Sequence, residues 1–373
     1  MNLSFFKKID WWIVVSLIPL MALSLTTMSS FMDAGGPLVY RQLLWIGISF
    51  IAFLIISSID VSFLKQSKVL LFIYVIGLSL LIGLIFVGST NKGATSWFNF
   101  GGFSFQPSDF VKLTLILVLA KYLARRHIEI RAMKHIFITG MYFVIPFLLI
   151  FLQPDFGSAI ILFAIWFGMI LVSGISRKHL LILFTAGLAL FMVMWTFVFQ
   201  EYQKDRLRTF VDPLSDIQGT GYNAYQSTIA VGSGQLLGKG VGYGTQSRLN
   251  FLPEYETDFI YAAISEEWGF IGSIIILSLF GIVIIRILVI GYQMNSNFEL
   301  LYAVGVALYF MSHVLINIGM NIGLMPVTGV TLPFMSYGGS HLLVEWMALG
   351  ILMAMRRQSR AVYKDDSPDV FLK

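Results

Sequence analysis

Apolar runs of about 20 residues recur along this 373-residue chain, and they constrain its fold more than any other feature. A run of that length carries a helix across the roughly 30 Å of hydrocarbon in a bilayer. Hydrophobic residues make up 57% of the chain and charged ones 12%, against about 25% charged in soluble domains. The sequence therefore predicts an all-α polytopic membrane protein. It holds no cysteine, which excludes disulfides and thiolate metal sites. Lys7 and Lys8 precede the first run, which is long and has no small-residue cleavage site after it, so it reads as an uncleaved signal anchor. The net charge of +5 is accounted for by membrane orientation rather than by nucleic acid binding.

Ten transmembrane helices are expected, at 11–30, 38–57, 69–88, 107–124, 135–152, 157–174, 179–199, 258–288, 300–324 and 337–355. The linkers 58–68, 125–134, 175–178 and 289–299 are short. Residues 200–257 form the large loop between helices seven and eight, and 1–373 reads as one transmembrane domain. Orientation follows from the basic residues, which collect on the cytoplasmic side of short loops. With the N-terminus inside, 17 of the 25 Lys and Arg residues face the cytoplasm, seven face out and Lys112 lies within a span. Leaving out the long loop, whose charges orient weakly, the ratio is 17 to 2. Both termini are thus expected in the cytoplasm, and 88–106, 153–156, 200–257 and 325–336 face outward. The unusual residues collect on that outer face.

The fourth span opens Phe105-Gln106-Pro107-Ser108-Asp109. Pro107 suits the first helical position, and Asp109 favours the helix dipole in the first turn. Lys112 falls about 7–8 Å into the helix at 1.5 Å per residue. An ammonium there needs a cavity or a partner; a structural ion pair with Asp109 or Asp155 and phosphate binding are both open. Gln153-Pro154-Asp155-Phe156-Gly157-Ser158 joins two spans with almost no loop, which leaves Asp155 at the outer boundary as a turn residue or a site residue. Trp97, in the run Lys92–Phe103, lines a substrate groove or anchors the interface.

The long loop begins with an amphipathic stretch, 201–218, of the kind that lies on a membrane surface, and Arg206 and Arg208 there can touch lipid phosphates. Residues 232–244 are glycine-rich around Lys239. A nucleotide P-loop fails on spacing, since three residues separate Gly234 from Gly238 and Gly240 replaces the required Ser or Thr. The glycines either let backbone amides approach an anion beside Lys239 or form a flexible lid; a mobile cover over the site is the expectation. The loop ends in Glu254, Glu256 and Asp258. Thr257 is placed to cap the eighth helix, with Asp258 in its first turn as a dipole carboxylate or a reacting acid. Glu266 and Glu267 lie deeper, about 80° and 180° around the helix from Asp258, so the three cannot serve one site. Two intramembrane acids mark function or a buried hydrogen-bond network. At 326–340 two prolines and three glycines break the helix at membrane depth, which requires protein or a water-filled cavity around it. On the preceding helix, His313, Asn317 and Asn321 are suited to packing hydrogen bonds.

Together these motifs resemble the shape, elongation, division and sporulation (SEDS) family along nearly the whole chain. The matching segments are KGATSWFNFGGFSFQPSDFVKL, QPDFGSA, GSGQLLGKGVGYGTQSRLNFLPEYETDFIYAAISEEWGFIG and NIGMNIGLMPVTGVTLPFMSYGGS. GTQS, FLPE-x-x-TDFI and MPVTG are more similar to the elongation (RodA-like) branch than to the division (FtsW-like) branch. The chain departs from the family at Asp109, Tyr261 and His341, where Glu, Phe and Ser are usual.

The resemblance implies a peptidoglycan glycosyltransferase acting on lipid II at the outer face of the bacterial cytoplasmic membrane during cell elongation. It implies a class B penicillin-binding protein as transpeptidase partner, with other elongation-complex membrane proteins. Asp258 matches the family's essential acid and is the candidate catalytic residue. An α-linked donor giving a β-1,4 product requires inversion, hence one displacement, a base for the attacking hydroxyl and positive charge for the departing pyrophosphate. Lys112, Lys239, Arg208 or a divalent cation (Mg or Mn) can supply that charge; no cofactor beyond this is implied, and no protein metal ligand is assigned. The candidate substrate and pyrophosphate residues are Lys112, Lys239, Arg208, Trp97, Gln106, Ser108, Asp155, Glu254 and Ser336. The rival readings are a flippase or other transporter of the lipid-linked precursor, and a non-catalytic scaffold for the penicillin-binding protein.

Overall fold

The computed structural model describes residues 9–30, 36–91, 94–100, 103–125, 133–197, 199, 201–212, 221–249 and 251–365. Helices overlap each of the ten apolar stretches. They are α1 (Trp11–Ser30), α2 (Pro37–Ser58), α3 (Ser67–Val87), α4 (Pro107–Ala124), α5 (Met133–Leu152), α6 (Phe156–Val172) and α7 (Arg177–Phe197). The outer loop carries α8 (Glu201–Val211), α9 (Tyr222–Ser233) and the single turn α10 (Thr245–Arg248). Then follow α11 (Ile260–Tyr292), α12 (Asn297–Asn321) and α13 (Gly339–Asp365). Seven of these, α1, α2, α3, α5, α7, α11 and α12, are long and apolar enough to cross a membrane, so the chain is a multi-pass membrane protein. Helix α6 is shorter and α4 carries three charges, Asp109, Lys112 and Lys121.

One departure from an all-helical chain lies at 88–106, expected as plain loop. Strands β1 (Ser89–Asn91), β2 (Ala94–Phe100) and β3 (Phe103–Phe105) form an antiparallel sheet in that order, with Phe98 opposite Phe105 and Phe100 opposite Phe103.

Helices that are apolar on every side belong in the interior. Here α4 and α12 are buried nearly end to end and pack on each other, with α3, α6 and α11 around them. Helix α7 has no fully buried residue and lies at the edge of the bundle. The first helix packs on α11, and α2 on α13. There Arg357 donates to the last carbonyls of α2, Ser58 at 2.6 Å and Ile59 at 2.8 Å, groups that have no partner within the helix.

The eighth predicted span is not one continuous helix. Gly269 breaks α11 at φ 67°, ψ −162°. A break at this depth frees backbone groups that need new partners, and the glycine-rich segment supplies them. Phe270 N donates to Gln235 O at 2.8 Å and Ile271 N to Leu236 O at 3.2 Å, while Lys239 N and Gly240 N donate to the carbonyls of Glu266 and Glu267, both at 3.0 Å. Gly234 and Gly238 lie so close to the α11 backbone that a side chain would collide with it. Gly234 and Gly238 thus serve close approach to a broken helix.

Candidate active site

The turn before α11 is built backwards from the Glu254 carbonyl, which accepts from the amides of Thr257, Asp258 and Phe259 at 3.2, 3.1 and 3.1 Å. Glu254 itself sits at φ 59°, a left-handed conformation that costs a non-glycine residue about 1–2 kcal/mol. The turn places Asp258 two residues ahead of the helix, not in its first turn. The expected Thr257 cap is absent: the capping position is Phe259, without a side-chain bond, and Thr257 Oγ1 instead donates to Glu254 Oε2 at 3.1 Å. The missing cap comes from another helix. Asn321 Oδ1 accepts from Ala262 N at 3.1 Å, while its Nδ2 donates to the Asp258 carbonyl at 3.1 Å. Asn317 Nδ2 donates to the same carbonyl at 2.9 Å and to Val330 O at 2.7 Å. The two asparagines, one turn apart on α12, thereby fix the backbone of Asp258 and tie it to the helix-breaking segment.

That segment closes the other side. Ser336 Oγ donates to Thr257 O at 2.5 Å and accepts from Leu332 N at 2.8 Å, and Tyr337 N donates to Glu256 O at 2.8 Å. Gly329, at φ 72°, faces the acid: a Cβ there would stand 3.6 Å from Asp258 Oδ2. Gly329→Ala is therefore expected to strain the turn and bring a methyl into contact with the carboxylate, lowering activity while the unfolding temperature falls by only a few degrees, since the backbone strain is about 1–2 kcal/mol. Thermal unfolding and activity per folded molecule check this; unchanged activity would separate Gly329 from the site.

A second cluster lies across the 328–330 strand of backbone. A Cβ on Gly157 would meet the Thr328 carbonyl at 2.8 Å and Val330 at 2.7 Å, so the start of α6 presses on the stretch whose next face meets Asp258. Asp155 caps α6, accepting from Ser158 N at 3.0 Å, and its other oxygen accepts from Gln106 Nε2 at 3.1 Å and Ser108 Oγ at 3.5 Å. Lys112 Nζ pairs with Asp109 Oδ1 at 2.9 Å rather than with Asp155. Asp109 Oδ2 lies 3.2 Å from His341 Nδ1, and His341 Nε2 lies 2.9 Å from Glu345 Oε1. Lys112 and Asp109 are each 2% exposed and Glu345 is fully buried.

The structure thus brings Gln106, Ser108 and Asp155 together on one side of 328–330, with Lys112 one turn further along α4 on Asp109, and Asp258, Glu254 and Ser336 on the other. Lys239 and Arg208 make their ion pairs elsewhere. Lys239 Nζ pairs with Glu266 Oε1 at 2.7 Å and donates to Thr245 Oγ1 at 2.9 Å. Glu267 accepts from Thr27, Ser30 and Gly242 N at 2.6, 2.7 and 2.6 Å. The two intramembrane acids therefore form a hydrogen-bond network that holds the glycine-rich segment and α1. Arg208 lies exposed on α8, beside Asp205 at 2.9 Å and Glu201 at 3.3 Å; on the same helix the Lys204 ammonium holds the Glu201 carboxyl below the usual range. An apolar groove of about 800 Å³ opens between α7 and α8, walled by Phe191, Met192, Trp195, Leu207 and Phe210, with Arg208 at its edge. Trp97 is half-buried in β2. Among the described residues no group of three His, Asp or Glu side chains is arranged to hold a metal ion, and both Asp155 oxygens accept hydrogen bonds.

Sequence reasoning missed Glu345 and its link to His341, although a lone carboxylate one helical turn after a histidine in an apolar span is a visible signal.

A family model described as a cell cycle protein, covering FtsW, RodA and SpoVE, matches residues 3–361. The peptidoglycan glycosyltransferase MrdB of Escherichia coli K12 is 36% identical over 293 residues, 79% of each chain. Stage V sporulation protein E of Bacillus subtilis 168 is 38% identical over 321 residues, 86% of this chain and 87% of that one. Among solved structures, a chain from a peptidoglycan synthase complex that coordinates polymerization and crosslinking superposes with a TM-score of 0.81 at 28% identity, over 94% of this chain and 98% of that one. The rod shape determining protein RodA of Thermus thermophilus gives 0.70 at 27% identity, over 94% and 97%. On the extent of these matches, and on the motifs that build the site, the chain belongs to the FtsW/RodA/SpoVE (SEDS) family.

Proposed function

We propose that the chain polymerises lipid II into glycan strands at the outer face of the cytoplasmic membrane, with Asp258 as general base. The observation that carries this reading is Asp258 itself, an acid just ahead of a helix whose main-chain carbonyl is held by Asn317 and Asn321 and whose neighbour Thr257 is held by Ser336, in a family with named peptidoglycan glycosyltransferases. Asp258 takes the proton from the 4-hydroxyl of the acceptor GlcNAc. The oxygen forms a bond to the anomeric carbon of the donor MurNAc as the bond to pyrophosphate breaks, and undecaprenyl pyrophosphate leaves with the electron pair. Configuration inverts in this one step.

The departing pyrophosphate meets Gln106, Ser108 and the Lys112 ammonium, with Asp155 orienting the first two. Lys112 is matched by Asp109, so this cluster acts through aimed donors more than through net charge. Arg208, at the edge of the α7/α8 groove, meets the lipid phosphate at the surface while the groove takes part of the tail, and Trp97 walls the sugar path. Lys239 serves the fold through Glu266, and Glu254 and Ser336 shape the Asp258 turn. Ten helices cross the membrane with both termini inside, which puts these residues on the outer side where the acceptor strand lies. A class B penicillin-binding protein is the partner that crosslinks the product.

Purified protein in detergent, given lipid II with and without such a partner, tests the reading. Glycan strands support it; translocation of lipid II across vesicles without polymer identifies a flippase, and neither activity identifies a scaffold. The motifs GTQS, FLPE-x-x-TDFI and MPVTG favour cell elongation. Depletion should then give round cells, whereas filaments would assign division.

A further inference from the structure

The buried chain running from Lys112 through Asp109 and His341 to Glu345 is not finished at Glu345. Its second oxygen, Oε2, accepts from Phe334 N at 2.9 Å. Phe334 stands at φ 60°, a left-handed conformation rare for a bulky residue, in the middle of the segment whose Ser336 and Tyr337 hold Thr257 and Glu256 next to Asp258. Its ring is clamped between Phe310 and Trp346, at 5.4 and 5.5 Å. Such conformations persist only where the surroundings over-determine them, and they cluster at functional sites. A carboxylate in an apolar helix interior is costly; this one turns one oxygen to His341 and the other to a backbone amide two residues from the serine that braces the site.

The geometry points to His341 and Glu345 as positioning residues for the reaction: a strap that carries the Lys112–Asp109 pair through α13 to the Phe334 amide, and so sets the turn that aims Asp258. Both imidazole nitrogens lie within ion-pair distance of carboxylate oxygens, at 3.2 and 2.9 Å, without the alignment of a hydrogen bond, so a protonated His341 offsets Glu345 in charge. Lys112 and Asp109 cancel, and the whole chain is neutral inside the protein. Neither His341 nor Glu345 is placed against substrate. The inference rests on Asp258 as base, but its first readout does not.

Glu345→Gln conserves the strap. The amide oxygen can accept from Phe334, and the amide N–H₂ faces His341, which still stands beside Asp109. Glu345→Met removes both links at similar volume, and His341→Gln cuts the middle. Amide hydrogen exchange over 332–338 and steady-state polymerisation of lipid II, per folded molecule, are measured on all three and on Asp258→Asn. The strap predicts that Glu345→Gln stays within about threefold of wild type in kcat and keeps the Phe334 amide protected. Glu345→Met should expose that amide and lower kcat by tenfold or more with KM within about twofold, and His341→Gln should fall between. A structural role alone would lower the folded yield and leave kcat of the folded fraction untouched, which overturns the inference. So does a Glu345→Gln protein with kcat down tenfold, and this holds even where Glu345→Met does not accumulate. An active Asp258→Asn with an exposed Phe334 amide in Glu345→Met would sink the base assignment and leave the strap as a brace of another centre.

Discussion

Asp258→Asn is expected to cut lipid II polymerisation by roughly 10²–10⁴-fold, the usual contribution of a positioned base, with folded yield and partner binding unchanged. The substitution keeps volume and backbone. The main-chain bonds that fix this position, from Asn317 and Asn321 to its carbonyl and from its amide to Glu254 O, do not involve the carboxylate. What is lost is the capacity to accept the acceptor's proton. Thermal unfolding, co-purification with the partner and strand synthesis are measured on the same preparation. Wild-type synthesis by the variant would remove Asp258 from the mechanism.

Lys112→Met should behave differently, because its partner is buried. The single substitution leaves Asp109 ionised at 2% exposure with its nearest cation gone. Breaking a buried pair from one side costs about 3–5 kcal/mol, and His341 at 3.2 Å sets the effect toward the lower end. The expected result is a large loss of folded protein as well as of activity. Adding Asp109→Asn removes the orphaned charge and should restore folded yield, whereas polymerisation stays low if Lys112 also meets the pyrophosphate. Normal yield of the single variant would contradict the buried pair; recovery of activity in the double variant would confine Lys112 to structure.

Residue type and spacing made the helices legible, because hydrocarbon runs of bilayer length leave few alternatives. The β-hairpin was not read, although Gly101-Gly102 between two aromatic runs is a hairpin signal; a short sheet has a weaker signature than a span. The kink at Gly269 was invisible because its cause lies 30 residues away, in the segment that satisfies the freed amides. The same is true of the site. Asp258, Lys112 and Asp155 stood out as charges in an apolar sequence. Their partners had to come from the fold: nothing local shows that Asn321 caps α11, that Lys239 is consumed by Glu266, or that Lys112 chooses Asp109 over Asp155. The glycine-rich run illustrates the limit most clearly, since composition reads equally as freedom or as close approach, and only the α11 backbone beside it decides.

The central claim is that Asp258 acts as a base in a single inverting displacement. The most direct measurement is the fate of the anomeric carbon. Wild-type protein, given lipid II and examined by intact mass during turnover, should show no glycosyl adduct, and NMR of the strands should show every new linkage as β. A glycan ester on Asp258, or linkages that retain the α configuration of the donor, would contradict the account.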